Sequence, residues 1–168
     1  MLSEPRSFAA VAEDHLDDVH AYLVYLTRDR AVAEDLTAET FEKAFRSWKR
    51  FDPRRASART WLCQIARSAA LDHFRAEERR RRRDTAYALQ ELCAVEEGVF
   101  GEGLSPELEG ALRSLSAGER EVIVLRVVLE LDSESAGRVL GISPTACSTR
   151  LSRALGRLER KVRSDVPV

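Results

Sequence analysis

Residues 132–153 read DSESAGRVLGISPTACSTRLSR, and the punctuation of this stretch decides the fold. Asp132 can cap a short helix running to Leu140, Gly141 suits a left-handed stop, and Ser143-Pro144 opens a further helix with proline in its first turn. The apolar stripe of that last helix falls at Cys147, Leu151, Leu155, Leu158 and Val162. A short helix, a tight glycine turn and an arginine-bearing second helix is the order of a helix-turn-helix, whose second helix enters a DNA major groove N-terminus first. Thr145, Ser148, Thr149, Arg150, Ser152 and Arg153 lie off the stripe, where hydroxyls and guanidinium groups can reach base edges or phosphates. Helical corners of this kind also occur in proteins that bind no DNA, so the remainder of the chain has to decide.

Working back from this corner, Ser116-Ala117-Gly118-Glu119 is a capping box ahead of Val122, Ile123, Leu125 and Val128, and Ser105-Pro106 is another helix start. The run from Val122 to Leu129 is β-branched enough to suggest a strand, but its cap and helical neighbours favour a buried helix. Residues 84–104 lose periodicity, gather Glu91, Glu96, Glu97 and Glu102, and read as an acidic, flexible linker. Before it, apolar residues from Phe8 to Leu26 form one helical face, and Leu36, Phe41, Ala44, Phe45 and Trp48 form a second that ends near Pro53. Thr60 can cap a third helix through Trp61, Leu62, Ile65 and Phe74 into the cluster Arg79 to Arg83. The pattern predicts an all-α protein of two small helical domains, residues 1–83 and 105–168, joined by the linker 84–104, with the helix-turn-helix in the second.

The chain has 168 residues, 44% of them hydrophobic, which is enough for a packed core and excludes collagen-like and low-complexity readings. A net charge of −1 hides a partition. Residues 1–42 hold ten acids and three bases, 43–83 four and fourteen, 84–137 twelve and three, and 138–168 two and seven. Two cationic blocks beside anionic ones predict two phosphate-facing surfaces, each next to a surface for a basic partner. Lys43, Lys49 and Lys161 are the only lysines, so the positive charge is nearly all arginine, whose forked guanidinium suits phosphate oxygens and base edges. No apolar run approaches the roughly 20 residues of a membrane helix, and Met1 to Phe8 lacks the look of a secretion signal, so a cytoplasmic location without membrane insertion is expected. Cys63, Cys93 and Cys147 form no C-x-x-C pair, and no catalytic constellation or cofactor motif stands out. The expectation is therefore a non-enzyme without metal or cofactor.

Three further segments carry a resemblance. Ala33-Glu34-Asp35-Leu36-Thr37-Ala38-Glu39-Thr40-Phe41, then Thr60 to Arg67 followed by Asp72-His73-Phe74-Arg75, then Leu115 to Arg126 with Leu140-Gly141-Ile142-Ser143, together resemble the extracytoplasmic-function sigma factors of bacterial RNA polymerase. The resemblance implies an initiation factor that binds core polymerase, through the β′ clamp helices and the β subunit, and directs it to promoter −10 and −35 elements with strand opening. It assigns core binding to Glu34, Asp35, Leu36, Glu39, Phe41 and Glu42. To the −10 and melting surface it assigns Arg54, Arg55, Arg59, Arg67, Ser68, Leu71, Asp72, Arg75, Arg79 and Arg80, and to the −35 surface the six residues of the last helix. An anti-sigma factor as a further partner, and association with the nucleoid when polymerase-bound, are implied in the same way. The chain departs from the family pattern at Ser68, where asparagine is frequent, at Ala136-Gly137, and at Thr145-Ala146-Cys147-Ser148. Gly137 is expected to cost its helix about 1 kcal/mol relative to alanine. A polymerase-independent helix-turn-helix regulator is the alternative; it explains the C-terminal half and leaves residues 30–75 without a role.

Overall fold

Ser7 begins the first helix by accepting a hydrogen bond from the amide of Ala10, and Asp29 begins the second by accepting one from Val32 at 3.1 Å. In the computed structural model, which describes residues 7–84 and 98–164, these open α1 (Phe8–Thr27) and α2 (Arg30–Ser47). A 3-10 turn, Trp48–Arg50, ends α2 ahead of the arginine loop. α3 (Ala58–Arg83) then runs through the whole arginine cluster. Its cap is Ser57 rather than Thr60: Ser57 Oγ accepts from the Thr60 amide at 3.2 Å, and Thr60 sits buried in the first turn. Two hydroxyls three residues apart can each cap, and burial of the β-branched one selects the other.

The three helices pack around Val19, Tyr22, Leu23, Leu36, Leu62 and Cys63, with Ala33, Ala44, Ala66 and Ala70 allowing close approach. Thr37 and Thr40 are buried as well, and each donates its hydroxyl to the carbonyl one turn back, at 2.7 Å, so neither leaves a polar group unpaired. Burial pushes the Cys63 thiol up to about 12, with the Asp18 charge adding and Arg59 opposing, so this cysteine is an inert core hydrophobe.

The C-terminal half follows its punctuation closely. Ser105 caps α4 (Pro106–Ser114), and Ser116 caps α5 (Ala117–Ile123) with both bonds of the capping box, 3.2 Å from the Glu119 amide and 2.8 Å from the Ser116 amide to Glu119. The run expected as a buried helix continues as a π-helical turn, Val124–Val128, closed by the Leu129 amide on the Val124 carbonyl. Asp132 caps α6 (Ser133–Leu140), Gly141 stops it at φ 68°, and α7 (Pro144–Ser164) follows. On α7 the stripe is narrower than expected: Cys147 and Ala154 are buried, whereas Leu155 is 39% exposed. No strand occurs among the described residues, so the chain is all-α.

Gly137 corrects a sequence expectation. A Cβ placed there would stand 2.7 Å from the Ile142 carbonyl oxygen, because the turn folds its backbone back onto α6 and bonds the Ile142 amide to the Gly137 carbonyl. Glycine is required by close approach rather than carried as a helix-propensity cost. Gly137→Ala is expected to destabilise the protein by about 1–3 kcal/mol, the usual penalty of overpacking, where propensity alone predicts a gain. Thermal unfolding of the variant decides the sign.

The two halves share one continuous apolar core, α1 packing on α5 and α3 on α6. Residues 85–97, which hold Cys93 and most of the expected acidic linker, lie outside the described residues. The end of that expected linker is not loose: Val99 and Phe100 are buried, and the Phe100 ring lies 4.9 Å from Tyr25. Glu109 accepts from the Gly98 and Val99 amides, and Arg113 beside it holds its carboxyl below the ordinary range.

Candidate protein and nucleic-acid surfaces

Helical periodicity on α2 turns Leu36, Thr40 and Ala44 inward and leaves Glu34, Asp35 and Glu42 exposed. Glu39 is half-buried and pairs with Lys43 at 2.5 Å. Leu36, assigned from sequence as an apolar contact for a partner, is only 4% exposed and belongs to the interior; Phe41 is half-buried. The apolar group that this face does present is Phe45, 65% exposed, with the Phe8 ring 5.3 Å away. Phe45 follows Phe41 by one turn and reads as part of the same buried stripe, so only the fold distinguishes an interior aromatic from an outward one. Glu42 pairs with Arg46 at 2.5 Å, so the face carries four acids, two of them paired with cations of the same helix, beside an aromatic edge, chemistry that fits a protein surface offering both basic and apolar groups.

The cationic surface is built by the loop before α3 and by α3 itself. Arg54 is exposed and forks onto Asp52, and the hydrogen bonds from Arg54 hold the Asp52 carboxyl below its ordinary value. Arg55 is exposed. Ser68, Asp72, Arg75 and Arg79 recur at helical spacing along one open face, with Arg75 bonded to Asp72 at 3.2 Å and Leu71 half-buried beside them. Arg80 continues it, paired with Glu77 at 3.0 Å. Trp61 and Phe74 pack against the core, so they are not free stacking platforms. Arg59 and Arg67 are partly covered: Arg59 pairs with Asp18 at 2.9 Å and Arg67 with Glu121 at 2.7 Å.

On α7 all six sequence-assigned residues, Thr145, Ser148, Thr149, Arg150, Ser152 and Arg153, are exposed. Thr145, Thr149, Ser152 and Arg153 share the outer side of the helix opposite Cys147 and Ala154, with Ser148 and Arg150 on its two flanks. Ser148 is within 3.0 Å of the Ser133 hydroxyl, and Thr149 donates to the Thr145 carbonyl, so these two need only rotate to meet a groove. The arrangement places hydroxyls and forked cations on the exposed side of α7, which suits base edges and phosphates together. Among the described residues no group of three or more His, Cys, Asp or Glu side chains is placed to hold a metal ion, and no helix is long and apolar enough to cross a membrane.

Residues 11–80 match the family model of Sigma-70 region 2, and residues 105–158 that of Sigma-70 region 4. The chain is 32% identical to the ECF RNA polymerase sigma factor BldN of Streptomyces coelicolor, over 96% of this chain and 62% of that protein. It is 32% identical to the ECF RNA polymerase sigma factor SigC of Mycobacterium tuberculosis, over 89% of this chain and 80% of SigC. It is 33% identical to the RNA polymerase sigma factor CarQ of Myxococcus xanthus, over 88% of each. Its fold is that of the sigma factor RpoE in the co-crystal structure with the anti-sigma factor NepR from Bartonella quintana, with a TM-score of 0.80 at 24% identity, covering 95% of this chain and 98% of the other.

Proposed function

The chain belongs to the ECF RNA polymerase sigma factors, and from that membership we propose that it is an initiation factor, not an enzyme, that docks on core polymerase and directs it to promoters. The observation that carries this reading is the presence, on one chain, of three separate exposed chemistries: the anionic α2 face, the cationic α3 face, and the hydroxyl and arginine face of α7. In this reading Glu34, Asp35, Glu39 and Glu42 meet the basic β′ clamp helices, with Phe41 and Phe45 as apolar contacts. Arg54, Arg55, Arg59, Arg67, Ser68, Leu71, Asp72 and Arg75 grip and read the −10 element as its bases leave the stack, while Arg79 and Arg80 neutralise phosphates. Thr145, Ser148, Thr149, Arg150, Ser152 and Arg153 read the −35 element from the major groove.

The division into residues 1–83, 84–104 and 105–168 belongs to the same reading, with each outer unit serving one promoter element. The solved relative with NepR supports an anti-sigma factor as a further partner, and the work is placed in the cytoplasm, at the nucleoid when polymerase is bound. The test is reconstitution: the protein is added to sigma-free core polymerase on double-stranded genomic promoter fragments. Transcription from discrete start sites is expected. Specific DNA binding without any discrete start would leave a polymerase-independent regulator instead.

A further inference from the structure

The two helices of the corner meet at their open edge through a pair of hydroxyls, Ser133 on α6 and Ser148 on α7, 3.0 Å apart, either of which can donate. Ser148 is exposed, and Ser133 is half-buried in the first turn of α6. Their spacing is set by the corner itself. The Ile142 amide bonds the Gly137 carbonyl at 2.9 Å and Gly141 turns the chain at φ 68°. Ala136, one turn from Ser133, and Cys147, next to Ser148, are fully buried, so neither helix is free to slide. Asp132 is the residue that caps α6, accepting from the Ser135 amide at 2.7 Å, and the Ser133 hydroxyl is left for Ser148.

A serine or threonine inside a helix commonly turns its hydroxyl back onto the carbonyl four residues earlier. Thr149 does so, donating to the Thr145 carbonyl at 3.0 Å, and in that state its proton belongs to the backbone. Such a side chain offers DNA only lone pairs, which suit the amino groups of adenine and cytosine. Ser148 has the equivalent acceptor in the Pro144 carbonyl but meets Ser133 instead. When Ser133 donates, the Ser148 oxygen is held through one lone pair and its own proton stays free. Rotation about Cβ–Oγ then turns that proton outward, toward an acceptor such as guanine N7 or O6 or thymine O4. From this pairing we infer that Ser133, which lies outside the six residues assigned to the −35 surface, is a positioning residue for it. By keeping the Ser148 proton available, Ser133 makes α7 prefer a keto base, guanine or thymine, at the position Ser148 meets. The inference rests on the reading of α7 as the −35 helix given above. Ser148 falls in the stretch where the chain departs from the family pattern, so the preference is set by this chain's own residues.

The test uses the full chain assembled with core polymerase, and a pool of double-stranded promoter fragments randomised across the −35 element and sequenced before and after capture. The wild type should enrich guanine or thymine over adenine or cytosine at one position. Ser133→Ala should lower that ratio about three- to tenfold, the worth of one hydrogen bond, as Ser148 swings onto the Pro144 carbonyl. Enrichment at the other positions should stay as it is, whereas a general loosening of the corner would weaken them all. Ser133→Thr, which keeps the hydroxyl, should restore the ratio. Ser148→Ala should flatten the same position, and adding Ser133→Ala to it should change nothing further, since the two residues act as one unit. An unaltered ratio in Ser133→Ala, beside a flattened position in Ser148→Ala, removes the positioning role and leaves α7 as the −35 reader. A loss spread evenly over every position removes it too, as does wild-type enrichment of adenine or cytosine at the position that Ser148→Ala flattens. If the wild type enriches no −35 sequence at all, the reading of α7 itself fails.

Discussion

Asp35→Arg combined with Glu39→Arg is expected to abolish retention on core polymerase, a loss of at least ~100-fold in affinity, because like charges set against one another at an interface cost several kcal/mol. Both carboxylates lie on the side of α2 away from Leu36, Thr40 and Ala44, so reversing them leaves the interior untouched. Residue 39 also becomes cationic one turn from Lys43, with which Glu39 now pairs at 2.5 Å, and losing that attraction while adding a repulsion of similar size costs up to about 1 kcal/mol. The thermal midpoint should therefore fall by no more than about 4 °C while binding disappears. Immobilised core polymerase, washed at rising salt, is the measurement. Retention equal to the wild type would remove the interface from this part of α2 and transfer it toward Phe45, whose exposed ring predicts a slower off-rate without carrying charge.

What could be seen in the chain beforehand was whatever is decided within three or four residues. Ser105, Ser116, Asp132 and Gly141 each act on amides or carbonyls one turn away, so their roles appear directly in the residue order. The start of α3 slipped by one turn because Ser57 and Thr60 are equally able to cap in isolation and only the burial of Thr60 separates them. Gly137 showed its helix propensity but not the Ile142 carbonyl behind it. Periodicity located the stripes of α2 and α7 without revealing that Phe45 and Leu155 face outward, since an amphipathic pattern marks a covered face and does not say what covers it. Glu121 left no signal at all. Its partners are 54 and 99 residues away, and nothing near it in sequence distinguishes a buried ion from the solvated acid that a surface helix carries by the dozen.

Leu62→Ala should produce the largest loss of stability, about 3–5 kcal/mol, the upper part of the range for such truncations. Leu62 is 0% exposed and lies on the inner side of α3. The cost of a cavity depends on whether neighbours can move into it, and the other buried residues of α3, Thr60, Cys63, Ala66, Ala69 and Ala70, are all small and add little volume to fill it. For a chain of this size each kcal/mol moves the midpoint by about 2–4 °C, so a fall of about 6–20 °C is expected in a circular-dichroism melt. Leu62→Met, which keeps the volume, should lose less than ~1.5 kcal/mol. The outer side of the same helix holds Ser68, Asp72 and Arg75, so a loosened Leu62 site also lowers the rigidity of the surface proposed to read the −10 element. Because α2 packs on α3 as well as on α1, transcription by the alanine variant and its binding to polymerase should fail at the same temperature. Loss of transcription at a temperature where polymerase binding persists would mean that α2 holds together without α3.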